Sequence, residues 1–481
     1  MKDNKTDIMT ARWGEITAGE VISPVKGNLA CGNPDISIAG ISTDSREILP
    51  GGIFFALRGD KFDGHDFVHT VVAKGASCIV VDRRHEIKLP PGIDTAMIVV
   101  EDTLTALGDM ASWWRHQFDV RVAGITGSAG KTTTKEMTAH ILALSSETLK
   151  NKGNLNNLIG LPLTVFQLEN KTAKMVLEMG MNRPGEIGRL TGIADPDVGL
   201  ITNIGRAHLE GLGDMEGVAR AKTELLERMS PQGKVILNGD DDLLMKASSR
   251  FKREVTTFGL KAENDVRADG VKGLGKDGTS FVLHFRGDSM EVTIRLPGLH
   301  NLYNALAAAS IALSMNEPLA NIAVGLNRYD GLKGRFKSVS LAKDIILIDD
   351  TYNSNPSSLR ASLNSAKDMA GGGKRLIVGL GEMLELGDET VQAHLEAGGM
   401  VADTGASWFF AMGDHAAEMK NGAIKKGLDR ERVFKVETHD EMIKGIEAVL
   451  EPGDVIFLKG SRRIGLDSVA RGLEERWPKE A

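Results

Sequence analysis

Residues 124–137 read GITGSAGKTTTKEM. The apolar run VRVAGIT leads into the glycines, and TTTKEMTAHIL after them has helical character. Strand, glycine turn and helix in that order make a phosphate cradle. Backbone N–H groups of Gly127, Ser128, Ala129, Gly130 and Lys131 can converge on phosphate oxygens at a helix N-terminus, where an anion is favoured. Lys131 supplies positive charge, the Thr132 hydroxyl can take Mg²⁺, and Thr133 is counted with the same ATP-binding loop. The general pattern has glycine six residues before the lysine; here that position is Ile125, with Gly124 one residue further back. The loop is therefore a variant, TGxxGKT. A glycine-rich strand-to-helix turn without a ligand is the plainer alternative.

Other residues stand at positions where chemistry is possible. Glu178 ends the strand-like KMVLEMG, at the sheet edge where ligands collect in open α/β sheets. A solvent-facing strand-end glutamate would look the same. His208 in GRAHLE follows the next strand. Lys222 in ARAKTELL shares a helical stretch with Arg220, Glu224 and Glu227, which by itself reads as a solvated face with i,i+4 pairing. Asn301 and Asn304 in HNLYN lie on one helix face, where their amides can pair with the donors and acceptors of an adenine edge; Asn301 can equally cap the helix. Asp63, Gly64 and His65 in FDGHDF also suit a tight turn.

The elements that position these residues follow from the pattern of the chain. At 481 residues the length suggests three domains. Residues 1–103 carry short β-like runs (GGIFFAL, ASCIVVD, TAMIVV) between turns, a small α/β domain. Residues 104–331 begin with the helical TALGDMASWWRHQF and then alternate strand and helix, as a parallel sheet wrapped by helices requires. PGEIGRLTGIA is expected as a helix with Pro184 near its start, and residues 255–297 as β-hairpins. YDGLKGRFKS is expected as a linker. From 332 to 481 the alternation restarts, from DIILIDD to DVIFLKG and LDSVARGLEERW. The fold class is α/β: a central phosphate-loop, parallel-sheet domain of ATPase type and a C-terminal Rossmann-like domain.

Composition narrows the function. A net charge of −7 argues against a general nucleic-acid binder. Two cysteines, Cys31 and Cys78, are no disulfide framework and suit a reducing cytoplasm. MKDNKTDIMTARWGE lacks the apolar core of a signal peptide. YNALAAASIALSM is too short for a membrane span and is expected as a buried helix.

Several ordered stretches resemble one family. NKGNLNNLIGLPLTV, LEMGMNRPGEI, ITNIGRAHLEGLG, ARAKTELL, HNLYNALAAA, DDTYNSNPSSL and LKGSR are similar, in that order, to the Mur ligases, the cytoplasmic enzymes that build the peptide of the bacterial cell-wall precursor. The resemblance runs from STDSREILPGGIFFAL through nearly the whole chain. DDTYNSNP and GEMLELG resemble the member that joins D-alanyl-D-alanine to UDP-N-acetylmuramoyl-tripeptide, and no Asn-Pro-Arg stretch of the diaminopimelate-adding member is present in the last domain. The resemblance implies ATP and Mg²⁺, amide formation through an acyl phosphate, a monomer, and neither nucleic acid nor membrane insertion.

It also implies roles. Glu178 and His208 are metal ligands, and Lys222 is carbamylated to hold a second metal. Arg335 and Asp350 reach ATP from the third domain, the arginine toward phosphate and the aspartate toward ribose, so that this domain closes over the nucleotide. Ser45 and Arg46 contact the diphosphate or sugar, and Asp63, Gly64 and His65 line a uracil pocket. Asn154, Asn156 and Asn157 contact substrate. Lys459, Ser461 and Arg462 hold the dipeptide or the acceptor carboxylate. Other ATP-dependent amide ligases, such as folylpolyglutamate synthase, are the near alternative. A nucleotide switch or motor is the distant one, and it has no use for EMGMN, AHLEG or KGSR.

Overall fold

The run VRVAGIT forms the strand Arg121–Thr126, buried from its second residue onward. A strand buried on both faces belongs inside a parallel sheet. Lys174–Glu178 lies parallel to it on one side and Val198–Ile201 on the other. The computed structural model describes residues 13–59 and 61–479. The first twelve residues of the stretch read for a signal peptide, and Asp60 in RGDKFDGHDFV, lie outside them.

The central sheet has nine strands. Beyond Val198–Ile201 come Lys234–Asn238, Val255–Gly259 and Val266–Gly273, all parallel, then Thr279–Phe285 and Asp288–Ile294 in antiparallel register. Thr148–Lys150 closes the other edge. Residues 255–297 are thus not hairpins throughout. Val255–Gly259 and the start of Val266–Gly273 extend the parallel sheet, and helix Leu299–Ser314 packs across them. Glycine and aspartate turns alone do not distinguish a hairpin from a short parallel link.

Two smaller sheets flank this one. The first runs Asn28–Cys31, Ala96–Val100, Cys78–Asp82, Ile53–Phe55, Ile41–Ser42, parallel except for Asn28–Cys31. The third runs Lys337–Ser340, Ile346–Asp350, Val455–Lys459, Leu376–Gly381, Trp408–Met412, Val433–Val436, parallel except for Lys337–Ser340. The architecture is α/β in three sheet layers. The expected linker is irregular only to Phe336, which is buried and whose N–H donates to Asp350; Lys337 already begins a strand.

Helix ends follow local chemistry. Asp214 caps Met215–Arg228 by accepting from Gly217 N–H. Asn355 caps Pro356–Met369 in a capping box with Ser358, and Pro356 takes the first turn, where its missing N–H costs nothing. Pro184 stands near the start of its helix as expected, just ahead of left-handed Gly185, the N-cap of Glu186–Ala194. Leu299–Ser314 is the alanine-rich helix expected to be buried, and no helix among the described residues is long and apolar enough to cross a membrane.

One apolar cluster is continuous from the first sheet into the central one. The rings of Trp13 and Trp114 stack with centroids 4.2 Å apart, and Trp13 Nε1 donates to the Phe166 carbonyl. Trp114 belongs to helix Thr103–Arg115, which packs against Gly160–Val165 and Glu186–Ala194. Trp114→Ala is expected to cost about 3–5 kcal/mol. Chemical denaturation followed by tryptophan fluorescence and by far-UV circular dichroism should show the loss as a lower midpoint.

Candidate functional site

The phosphate loop is shaped by the strand beside it. Gly127 has φ +147°, and a Cβ there would lie 1.8 Å from Thr202 Oγ1. Gly130, with φ +83°, caps helix Lys131–Leu142, and a Cβ there would lie 2.2 Å from Asn304 Oδ1. Only glycine satisfies both the left-handed backbone and the close approach. Thr202 Oγ1 donates to the Ala129 carbonyl at 2.6 Å, and Asn203 Oδ1 accepts from Ala129 N–H at 2.9 Å. The Lys131 ammonium folds back onto the Gly127 carbonyl at 2.7 Å. Desolvation pushes its pKa down; Glu178 opposes the fall and Arg335 adds to it.

Glu178, buried, is held from three sides. Asn151 accepts from its N–H at 3.0 Å and donates to its carbonyl at 2.9 Å. Asn156 Nδ2 donates to Oε1 at 2.8 Å. The other carboxylate oxygen, Oε2, is buried without a hydrogen-bond partner among the described residues and lies 4.0 Å from Lys135 Nζ. A fixed, under-satisfied carboxylate oxygen is the donor that Mg²⁺ takes. Lys135 is itself fully buried and donates to the Asn151 carbonyl at 2.7 Å. Asn151 and Lys135 were not singled out in the sequence. Lys135 follows Lys131 at helical spacing, and Asn151 opens the NKGN stretch, so both signals were present.

Lys222 is 1 % exposed and does not sit on a solvated face. It has no ion-pair partner among the described residues, and burial, reinforced by the charge of Lys131, holds its pKa well below the ordinary lysine range. His208, left-handed at φ +56°, places Nδ1 2.7 Å from Glu385 Oε2 of the third domain, at ion-pair distance though off the line of a hydrogen bond.

The third domain is docked on the loop. Arg335 Nη2 donates to Thr132 Oγ1 at 3.0 Å, and its guanidinium lies 4.0 Å over the Tyr352 ring. Asn355 Nδ2 donates to the Ser128 carbonyl at 3.3 Å. Arg206 spans the gap to Glu389 at 2.5 Å and Glu396 at 2.8 Å. Asp350 is engaged on both oxygens, by Lys459 at 2.7 Å, Ser362 at 2.6 Å and the Phe336 N–H. Burial pushes the Lys459 ammonium down, and Asp350 opposes it. Ser461 Oγ accepts from Leu384 N–H at 3.0 Å; Arg462 stays exposed at the rim.

These groups line one cavity of about 1040 Å³ between the central and third domains. It gathers residues 128–133, Asn154, Asn156, Asn157, Glu178, His208, Asn301, Asn304, Arg335, Asp350, Lys459, Ser461 and Arg462. Lys222 and Gly127 lie behind the lining. Asn157 also turns the chain, its Oδ1 accepting from Gly160 N–H at 2.8 Å. Asn301 does not cap its helix: Gly298 is the N-cap, and the Asn301 amide donates to the Pro297 carbonyl at 2.9 Å.

Ser45, Arg46, Asp63, Gly64 and His65 are not brought to this cavity. Arg46 is bound to Asp44, which holds that carboxyl at about 2. Asp63 caps the turn, and His65 is spent internally. Its Nδ1 faces Asp63 at 2.5 Å, and its Nε2 accepts from Asp82 N–H at 2.9 Å. A side chain at Gly64 would meet the Leu57 backbone at 2.8 Å.

Family models match in three consecutive segments. The Mur ligase family catalytic domain covers residues 37–115, the Mur ligase middle domain 125–312 and the Mur ligase glutamate ligase domain 334–462. The UDP-N-acetylmuramoyl-tripeptide–D-alanyl-D-alanine ligase of Escherichia coli is 35% identical over 96% of this chain and 98% of its own. The ligase of the same name from Bacillus subtilis is 34% identical over 95% and 98%. A crystal structure of MurF from Acinetobacter baumannii superposes with TM-score 0.86 at 32% identity, covering 98% of this chain and all of that one. MurF ligase from Thermotoga maritima, in complex with ADP, gives 0.80 at 26% identity over 90% and 97%.

Arg206 holds two third-domain carboxylates at partly exposed sites, each worth at most about 1 kcal/mol. Arg206→Ala is expected to shift the unliganded protein toward an open form. Small-angle scattering should read a larger radius of gyration than wild type; an unchanged radius would mean that Arg206 does not hold the domains together.

Proposed function

The chain belongs to the Mur ligase family, and from that premise we propose that it adds D-alanyl-D-alanine to UDP-N-acetylmuramoyl-tripeptide, using ATP, in peptidoglycan precursor synthesis. The observation that carries this reading is the single cavity in which the phosphate loop, Glu178 and the docked Arg335 meet.

The reaction begins with the tripeptide carboxylate attacking the γ-phosphate of ATP, which yields an acyl phosphate and ADP. The amine of D-alanyl-D-alanine then attacks the acyl carbon, and phosphate leaves. The attack brings an anion onto a polyanion, so positive charge must stand ready. Lys131 and Arg335 flank the loop that holds the phosphates. Glu178, His208, Thr132 and a carbamate on Lys222 would hold Mg²⁺, which supplies further charge neutralisation at the phosphoryl oxygens. The fit is good where it can be tested. Glu178 Oε2 is a buried oxygen without a hydrogen-bond partner among the described residues, and burial lowers the Lys222 pKa, which favours the neutral amine that takes up CO₂.

Asn301 and Asn304 line the same cavity, Asn304 close to Gly130 of the loop, and would take the adenine edge. Asp350, bound to Lys459 and Ser362, positions that lysine rather than standing free for a ribose. The docked third domain excludes water from the acyl phosphate. We keep Ser45, Arg46 and the 63–65 turn, which do not line this cavity, as the candidates for the uridine end of a long substrate, and binding there would have to displace contacts such as that of Arg46 with Asp44. We assign the enzyme to the cytoplasm, as a monomer.

Phosphate release should require ATP, Mg²⁺, the UDP-tripeptide and the dipeptide together. Full-rate ATP cleavage without either peptide would sink the ligase reading. Lys131→Ala is expected to lower turnover by roughly 10²–10³-fold, with the melting temperature little changed.

Lys222 gives a sharper test. A free lysine, at pKa ~10.4, would bring repulsion to a cation site; a carbamate brings two oxygens. Lys222→Ala is expected nearly to abolish ligation, and acetate to restore part of it. Lys222→Arg should fail as badly as alanine. An arginine variant ligating near the wild-type rate would refute the carbamate.

A further inference from the structure

The loop 382–386 of the third domain is strapped at successive positions. Glu382 N–H donates to the Met412 carbonyl at 3.1 Å, Met383 N–H to His394 Nε2 at 2.9 Å, and Leu384 N–H to Ser461 Oγ at 3.0 Å. Ser461 N–H returns to the Glu382 carbonyl at 3.1 Å. The next residue, Glu385, has φ +63°, a left-handed backbone that a residue with a Cβ adopts only under constraint. The strap therefore delivers one side chain to one place. Glu385 Oε2 stands 2.7 Å from His208 Nδ1.

His208 is left-handed too, at φ +56°, and its Nδ1 is buried with no other polar partner among the described residues. A carboxylate 2.7 Å from Nδ1 favours the tautomer with its proton on that nitrogen, which leaves Nε2 of this cavity-lining histidine as the lone-pair nitrogen. Among the described residues, no group of the central domain is hydrogen-bonded to Nδ1 of His208.

We propose that Glu385 is a positioning residue that prepares His208 Nε2 for the metal from across the domain interface, so that the metal site is complete only when the third domain is docked. This rests on the reading of His208 as a metal ligand. Outer-shell partners of metal-bound histidines change affinity by roughly 10–100-fold when removed. By linkage, the metal in turn favours the docked form.

The test uses Mn²⁺, visible by electron paramagnetic resonance, titrated into the full-length protein with a non-hydrolysable ATP analogue. Glu385→Ala is expected to weaken Mn²⁺ by roughly 10–100-fold. Glu385→Gln, whose amide oxygen can face Nδ1 as the carboxylate does, should recover most of the loss. His208→Ala separates the two readings. If it leaves Mn²⁺ affinity unchanged, His208 is not a ligand and the underlying assignment falls. If it weakens Mn²⁺ while Glu385→Ala does not, His208 is a ligand and the positioning role is refuted. A glutamine variant as weak as alanine would also overturn the proposal, because Glu385 would then be acting through its charge or as a ligand. Circular dichroism melting of each variant checks that the 382–386 strap is intact; should Glu385→Ala melt early, Glu385→Asp replaces it, since a carboxylate too short to reach Nδ1 should also weaken Mn²⁺.

Discussion

The Glu178 carboxylate, set against buried lysines, governs this site. Glu178 faces Lys135 at 4.0 Å and lowers the electrostatic cost of Lys131, while Lys222 lies buried close enough to Lys131 for the two charges to repel. Lys135 is shared with Glu136 at 3.1 Å, which leaves Lys131 as the buried cation beside the phosphate loop. A cation so desolvated is costly without anions and well matched to a triphosphate. The rest of the structure keeps Glu178 where it is: Asn151 clamps its backbone, Asn156 one oxygen, and the parallel neighbours of Lys174–Glu178 fix the strand end.

The third domain adds charge that the central sheet cannot supply alone. Arg335 touches the loop threonine, Asn355 the loop backbone, and Glu385 the histidine that follows Val198–Ile201, two strands over from Glu178. Each contact crosses the same interface, so docking assembles the electrostatics and closes the cavity in one movement. The first sheet is built differently. Its polar turn residues, Asp63 and His65, are consumed in holding the turn, and its core runs without a break into that of the central sheet through Trp13 and Trp114. One end is fixed by packing; the other is joined by polar contacts that can be broken and remade.

The phosphate loop and the α/β alternation were legible in the sequence, because both are local. A glycine at φ +83° before a lysine-led helix, and a five-residue buried run before the glycines, are written in adjacent residues. Errors came where local chemistry is ambiguous. Gly and Asp punctuation at 255–297 suggested hairpins where Val255–Gly259 and the start of Val266–Gly273 extend the parallel sheet, and only the family resemblance set Lys222 apart from the solvated face that its charged neighbours suggest. The family resemblance, carried by stretches scattered from 42 to 462, supplied the candidate ligands that no local rule would have chosen.

What only the tertiary structure decided are the partners. Arg335 and Thr132 are 203 residues apart in the chain, and Lys459 and Asp350 are 109 apart. No periodicity links them. Asp350 is saturated by Lys459, Ser362 and a backbone N–H, Asn301 does not cap, and Glu385 reaches His208, because parallel strands end side by side and the loops after them converge. Sequence sets which residues stand at strand ends and helix starts, since backbone conformation is a matter of neighbours. Which of those ends meet is settled by packing three sheets together, and a side chain's charge state follows from that meeting.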